Sequence, residues 1–197
     1  MTSIETFIQT NAFAMVDGLK FGIYWCLGFL CTVKGLGGTT LATLGMLMTL
    51  SAPFLGIYLA RRFENSVRSD APVGFGKAYL YSALLYLYAS AILSIVAFIY
   101  FNWLDHGAFI NSYISVISAP DMQSALRQAG LEQMFSDTAH QSGFNSFEEL
   151  LGSIRPFDIS MSLFDFNVFM GLILSLPTAL MAIMRLKNDG KDDSPNS

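Results

Sequence analysis

"AYLYSALLYLYASAILSIVAFIYFNWL", Ala78 to Leu104, runs for 27 residues without a charged side chain. As a helix it extends for about 40 Å at ~1.5 Å per residue, against ~30 Å for the hydrocarbon of a bilayer. A barrel strand needs only about ten residues and alternates in polarity, which this run does not. The stretch predicts a transmembrane helix that tilts or begins in the interface. The residues leading into it, "VGFGK" (Val73 to Lys77), resemble the end of a phosphate loop. That motif needs a glycine where Ala71 stands, a Ser or Thr where Ala78 stands, and a surrounding βα unit. We therefore read the glycines as backbone freedom at a membrane boundary and expect no nucleotide.

Composition agrees. Of 197 residues, 53% are hydrophobic and 13% charged, too little polar surface to cover a soluble globule. Three more apolar stretches, 18–39, 41–60 and 161–184, join 78–104 as membrane spans. The expected fold is an all-α integral membrane protein of four transmembrane helices in two antiparallel hairpins, with a helical segment between the third and fourth. Arg61, Arg62, Arg68 and Lys77 fall in the loop 61–77, and Arg185, Lys187 and Lys191 in the tail 185–197, whereas 105–160 holds Arg127 and Arg155 against seven acidic residues. The excess of Lys and Arg places the loop, the tail and both termini in the cytoplasm and 105–160 outside. "KGLGGTT" (Lys34 to Thr40) is read as the tight outer turn between spans one and two. No basic segment precedes Lys20 and no cleavage site follows a short apolar core, so the first span reads as a retained signal anchor.

Charge inside the hydrocarbon costs about 2.5 to 3.5 kcal/mol per residue at the bilayer centre, which moves Asp17 and Lys20 to the membrane edge, with Lys77 and Asp165 also read as edge charges. Asp165 is expected to cap the first turn of the fourth span. Small residues recur every fourth position: Ala14, Gly18 and Gly22; Ala52, Gly56 and Ala60; Ala78 and Ser82, then Ser90 and Ser94; Gly171, Ser175 and Ala179. Such ridges let helices approach closely in lipid and predict a compact bundle. "LSAPFLGIYLAR" (Leu50 to Arg61) and "LSLPTALMAIMR" (Leu174 to Arg185) share Leu-Ser-x-Pro, a hint of internal duplication. Pro53 and Pro177 should kink both helices, with Ser51, Ser175 and Thr178 near enough to satisfy the carbonyls they free. Tyrosines at the ends of the third span read as interfacial anchors, while Tyr86 and Tyr88 lie deep enough to need hydroxyl partners.

Chemical motifs are sparse. Cys26 and Cys31 lie five residues apart on one helix, which suits neither a disulfide nor a metal and reads as buried thiols. His106 and His140 lack the paired ligands of a zinc site and read as exposed polar residues, so neither metal nor cofactor is expected. In the outer segment, Ser118 and Pro120 can open a helix within 118–137, and Thr138 to Ser146 reads as a loop. Ser146 and Glu149 form a capping-box pair ahead of Phe147, Leu150, Leu151 and Ile154, a short amphipathic helix expected on the membrane surface or capping the bundle.

The Gly-rich first helix, "VGFGKAYLYSALL" (Val73 to Leu85), "YFNWLD" (Tyr100 to Asp105), the polar acidic segment and a last helix with a short charged tail resemble the bacterial membrane proteins called the domain of unknown function 4199 family. The resemblance covers roughly Ala14 to Arg185. It implies a four-helix protein of the bacterial inner membrane with no catalytic residues to carry over. It also implies a candidate companion, a glycosyltransferase that charges a polyprenyl phosphate, encoded alongside such proteins.

Two functions fit. One is a non-enzymatic partner or scaffold within a membrane complex, either homo-oligomeric or built with another membrane protein. The other is a small oligomeric carrier or channel whose second and fourth helices line a polar path with Ser51, Ser82, Ser90, Ser94 and Ser175. Charge is nearly absent from the middle of the membrane, which weighs against coupled transport. No nucleophile and base stand at workable spacing, which weighs against catalysis. Nothing basic or aromatic is patterned for nucleic acid.

Overall fold

The computed structural model describes residues 3–35, 40–67 and 74–189, and every regular element among them is helical. Four helices are long and apolar enough to cross a membrane. They are α1 (Ser3–Lys34), α2 (Thr40–Val67), α3 (Phe75–Ile99) continued by a π-helical turn (Tyr100–Leu104), and α8 (Pro156–Asp189). Between α3 and α8 lie α4 (Ala108–Ile117), α5 (Pro120–Gln128), α6 (Leu131–Gln141) and α7 (Phe147–Gly152). The outer turn expected at Lys34 to Thr40 falls largely on 36–39, outside the described residues, as does the basic loop at 68–73.

α3 is the central element, with α1 on one side and α8 on the other. Its sequence is apolar all round, as a helix enclosed by neighbours can be. Small residues set the approach. Gly18 and Gly22 of α1 lie against Tyr88 and Ile92 of α3, and Gly28 faces Met48 of α2. Gly56 of α2 and Gly171 of α8 both receive Tyr86 of α3. The order of contacts gives the directions: Phe13 meets Phe63 while Gly28 meets Met48, so α1 and α2 run oppositely. Gly18 meets Tyr88 and Phe29 meets Phe101, so α1 and α3 run together. Tyr86 meets Gly171 and Phe98 meets Phe157, so α8 opposes α3.

Helix ends depart from the apolar runs, because a helix stops where its backbone can be capped and not where polarity changes. α1 begins at Ser3, well ahead of Gly18, since no proline interrupts 3–34. α2 continues through Arg61 and Arg62 to Val67, burying Phe63, Glu64 and Val67 on the same face as Gly56 and Ala60. α8 starts at Pro156, whose ring pre-sets the first helical dihedral. Asp165 therefore does not cap that helix; it is an exposed residue more than two turns inside, and Asp158 occupies the first turn. The Arg155 guanidinium, held by the Asp158 carboxylate at 2.9 Å, stays protonated to a pH above its ordinary range.

The segment after α3 is more helical than expected. Asp105 is buried and accepts the Phe109 backbone N–H at 3.0 Å, which fixes the start of α4, an element the sequence reading did not contain. Ser118 ends α4 and Ala119 caps α5, which corrects the assignment of Ser118 as the cap. The single helix expected through 118–137 is two, because Gly130 adopts φ +69° and turns the chain between α5 and α6. α6 then runs to Gln141, so the loop expected from Thr138 begins at Ser142. Ser146 caps α7 by accepting the Glu149 N–H at 3.2 Å, and Glu149 reaches back to the Asn145 N–H at 3.0 Å. The apolar face of α7 is covered by protein: Leu151 is buried and Phe147 stacks on Phe135 at 4.6 Å. Exposure to the surroundings passes instead to α4, which has no buried residue.

Candidate functional site

Three of the buried polar side chains, Thr10, Asp17 and Glu64, lie at one end of the bundle, where α1, α2 and the start of α3 meet. They are placed by helical spacing. Thr10, Ala14, Asp17, Phe21 and Trp25 form a buried stripe along α1 at steps of three and four. On α2 the ridge Ala52, Gly56, Ala60 arrives, one step of four later, at Glu64. α3 brings Lys77 and Tyr81, again four apart.

Asp17 is only 4% exposed, and its two oxygens have different donors. The Tyr81 hydroxyl donates to Oδ2 at 2.9 Å and the Lys20 ammonium to Oδ1 at 3.1 Å. Tyr81 is fully buried, stacked on Phe63 with ring centroids 4.1 Å apart. One hydroxyl thus ties α1 to α3 while its ring fixes α2. Lys77 extends the same end, donating to Gln9 of α1 at 3.4 Å and lying 5.8 Å over the Phe63 ring. Tyr88 donates to Asn11 at 2.7 Å, the partner its depth calls for. Tyr86 has none: its buried hydroxyl meets no acceptor at hydrogen-bonding geometry, and nearby Thr178 gives its own proton to the Leu174 carbonyl.

Glu64 is 2% exposed and has one oxygen without a partner. Arg61, one turn earlier, has a buried Nε also without a partner. A buried polar atom left without a partner is costly, so Glu64 Oε1 and Arg61 Nε stand apart from the satisfied Asp17 beside them. Two grooves open at this end, both lined by Arg62 and the second also by Arg61. One, of about 320 Å³, lies between α1 and α2 and is lined by Asp17, Lys20, Arg62 and Phe63. The other, of about 640 Å³, lies on the outer side of α2 against Met181 of α8.

The other sequence-predicted residues serve packing. Ser82, Ser90 and Ser175 donate to the carbonyls of Ala78, Tyr86 and Gly171, each one turn back on its own helix. Ser94 alone of the α3 serines crosses to another helix, donating to the Ser160 carbonyl at 2.8 Å. Ser51 bonds Tyr24 of α1 and the Met48 carbonyl. None of the five serines lines either groove. α2 and α8 continue through Pro53 and Pro177, and Ser51, Ser175 and Thr178 bond Met48, Gly171 and Leu174, not the Thr49 and Ile173 carbonyls that the prolines free. The two halves of the Leu-Ser-x-Pro echo consequently do different work. Cys26 is buried, Cys31 half-buried, and both are free. His106 and His140 are exposed. Among the described residues, no three His, Cys, Asp or Glu side chains come together as a metal centre would need.

A family model described as "Protein of unknown function (DUF4199)" matches residues 17–184. The chain belongs to the DUF4199 family. No curated protein and no solved structure matches it. The DUF4199 match begins at Asp17 itself, so it takes in Tyr81, Glu64 and both arginines of α2 and leaves out Gln9, Thr10 and Asn11. In this DUF4199 chain Asp17 and Tyr81, expected from the sequence as a membrane-edge charge and an interfacial anchor, are joined as one buried pair between helices. Two signals point there: the run Ala12 to Val16, apolar on the far side of Asp17, and the small-residue ridge of α2, whose next member is Glu64.

Proposed function

We propose that this protein is a non-enzymatic multi-pass protein of the bacterial inner membrane that holds a partner membrane protein in a complex. In this reading the four spans form two antiparallel hairpins, α1 with α2 and α3 with α8. Both termini and the Arg61–Lys77 region are cytoplasmic, and 105–160 is extracytoplasmic. The bilayer is one partner, and a second membrane protein or another copy of the chain is the other. The family resemblance makes a polyprenyl-phosphate glycosyltransferase the first companion to seek.

The observation that carries the reading is the uneven cover of the four spans. In the most apolar window of α2, 17% of residues are buried, against 44% in α1 and α3 and 28% in α8. Leu44, Leu47 and Leu50 stand exposed along it. Meanwhile the groups that could do chemistry, Asp17, Tyr81, Ser94 and Ser51, hold helices together. A bundle in which these four polar groups serve its own packing and whose second helix lies open is suited to contact, because association in lipid rests on shape and close packing.

The test is extraction in mild detergent and capture through a terminal tag. A stoichiometric companion is expected, and Leu47→Ala with Leu50→Ala should reduce its recovery at least several-fold at unchanged expression. Repeated recovery of a homogeneous homo-oligomer alone would remove the second protein from the proposal. A single monomeric species from every extraction would overturn it.

A further inference from the structure

The outer groove of α2 is polar at one end and apolar along the rest. Phe54, Ile57, Tyr58, Arg61, Arg62 and Asn65 follow at steps of three, one, three, one and three, a continuous stripe on one face of the helix. Met181 of α8 closes the groove on one side. From Phe54 to Asn65 the stripe rises about 16 Å along the helix axis. Over that length it passes from aromatic and aliphatic surface to two guanidinium groups. A phospholipid has the same order along its axis, from acyl chain to phosphate.

Charge and hydrogen bonding point the same way. The ion pairs among the described residues engage Lys20, Arg127 and Arg155 and leave Arg61 and Arg62 without a carboxylate. Glu64 does not reach Arg61 at ion-pair distance, although it is one turn away. The Nε of Arg61 is buried and has no acceptor in the protein, and the Arg61 side chain lines the groove beside Arg62. Phe54 and Tyr58 are 73% and 61% exposed beside it, ready to lie along an acyl chain. Basic pockets between transmembrane helices are a general means of holding anionic headgroups, and guanidinium groups suit phosphate because they donate through two parallel N–H groups.

We propose that the groove between α2 and the Met181 face of α8 is a binding site for an anionic phospholipid, whose phosphate sits on Arg61 and Arg62 and whose acyl chain lies along Tyr58 and Phe54. The inference rests on the membrane reading of the four helices, and is independent of any protein partner. A bound lipid supplies a counter-charge to Arg61 and Arg62 and covers the apolar stripe.

The full chain, purified in mild detergent, is titrated with short-chain phosphatidylglycerol, with phosphatidylcholine of the same chains, and with inorganic phosphate, and bound species are counted by native mass spectrometry. Phosphatidylglycerol should be retained at one site at least tenfold more strongly than phosphatidylcholine. Arg61→Gln with Arg62→Gln should abolish that preference, whereas Arg127→Gln, on α5, should leave it intact. Should the double variant fold poorly, Arg62→Gln alone should still reduce retention several-fold. Equal retention of the two lipids, a preference that survives the double variant, or inorganic phosphate displacing the lipid at equal concentration would each overturn the site. Alkaline extraction of membranes separates this failure from failure of the membrane reading: a chain washed off by carbonate defeats both, and one that stays embedded without a lipid preference defeats the site alone.

Discussion

Asp17 is worth most at the scale of a single residue, because a carboxylate inside a helix bundle is tolerable only when its oxygens are satisfied. Its Oδ2 depends on the Tyr81 hydroxyl, and no other donor reaches that atom among the described residues. Tyr81→Phe keeps the ring on Phe63 and removes the hydroxyl, which also lies 3.4 Å from the Leu59 carbonyl, so the coupling to Asp17 and not the single loss reports this bond. A bond to a charged group contributes about 1.5–3 kcal/mol, and a cycle of Tyr81→Phe, Asp17→Ala and the double variant should return a coupling of about that size. Unfolding of the detergent-solubilised protein supplies the four values. Effects that add within about 0.5 kcal/mol would show that the pair is a neighbour contact without energetic content. Lys20 contributes less, since its side chain is 53% exposed and screened by its surroundings.

Between elements, glycine decides distance. A methyl group on Gly45 of α2 would fall 2.6 Å from the Thr32 backbone nitrogen and 2.7 Å from the Gly28 carbonyl oxygen of α1, atoms that move only if the helix moves. Gly76, in the first turn of α3, has nothing within 4 Å of the same position. Gly45→Ala should therefore cost about 1–3 kcal/mol by forcing α1 and α2 apart, while Gly76→Ala should stabilise the helix by about 0.4–1 kcal/mol. Thermal unfolding of the two variants side by side tests this, and a neutral Gly45→Ala would mean that the helices do not touch as described. The contrast bears on what the sequence could tell. Spans were legible because 20-residue apolar runs have few other uses, and the Ser146–Glu149 cap because both partners lie within four residues. The ends of α1, α2 and α8 were not, since a membrane helix continues past its apolar run until a backbone cap or a glycine stops it. α4 was hidden because Asp105, whose carboxylate accepts the Phe109 N–H, reads as the polar end of a span, and Gly107, in the left-handed region at φ +81°, starts the new helix. Asp17 and Tyr81 are 64 residues apart, and only the parallel packing of α1 and α3 reveals that they meet.

Across the whole molecule the question is which end faces the cytoplasm. Lys77 bonding Gln9, and Phe13 packing on Phe63, bring the start of α1, the end of α2 and the start of α3 to one end. Lys34 over Tyr100, and Phe98 against Phe157, bring the end of α1, the end of α3 and the start of α8 to the other. Arg61, Arg62 and Lys77 belong to the first end, while the two arginines of 105–160 are paired with Glu132 and Asp158. The orienting asymmetry of membrane proteins is the number of Lys and Arg near the spans, since these resist translocation while acidic residues have little influence. A reporter inserted after Gly143, in the exposed turn between α6 and α7, should accordingly read as extracytoplasmic, and one fused to the carboxyl end as cytoplasmic. Both reporters on the same side would contradict an odd number of crossings between them, and with it α8 as a span. Opposite sides in the reverse sense would keep the four spans and invert the protein. The end that carries the Asp17–Tyr81 pair and the arginine groove would then face outward, and the proposed lipid of the groove would come from the outer leaflet.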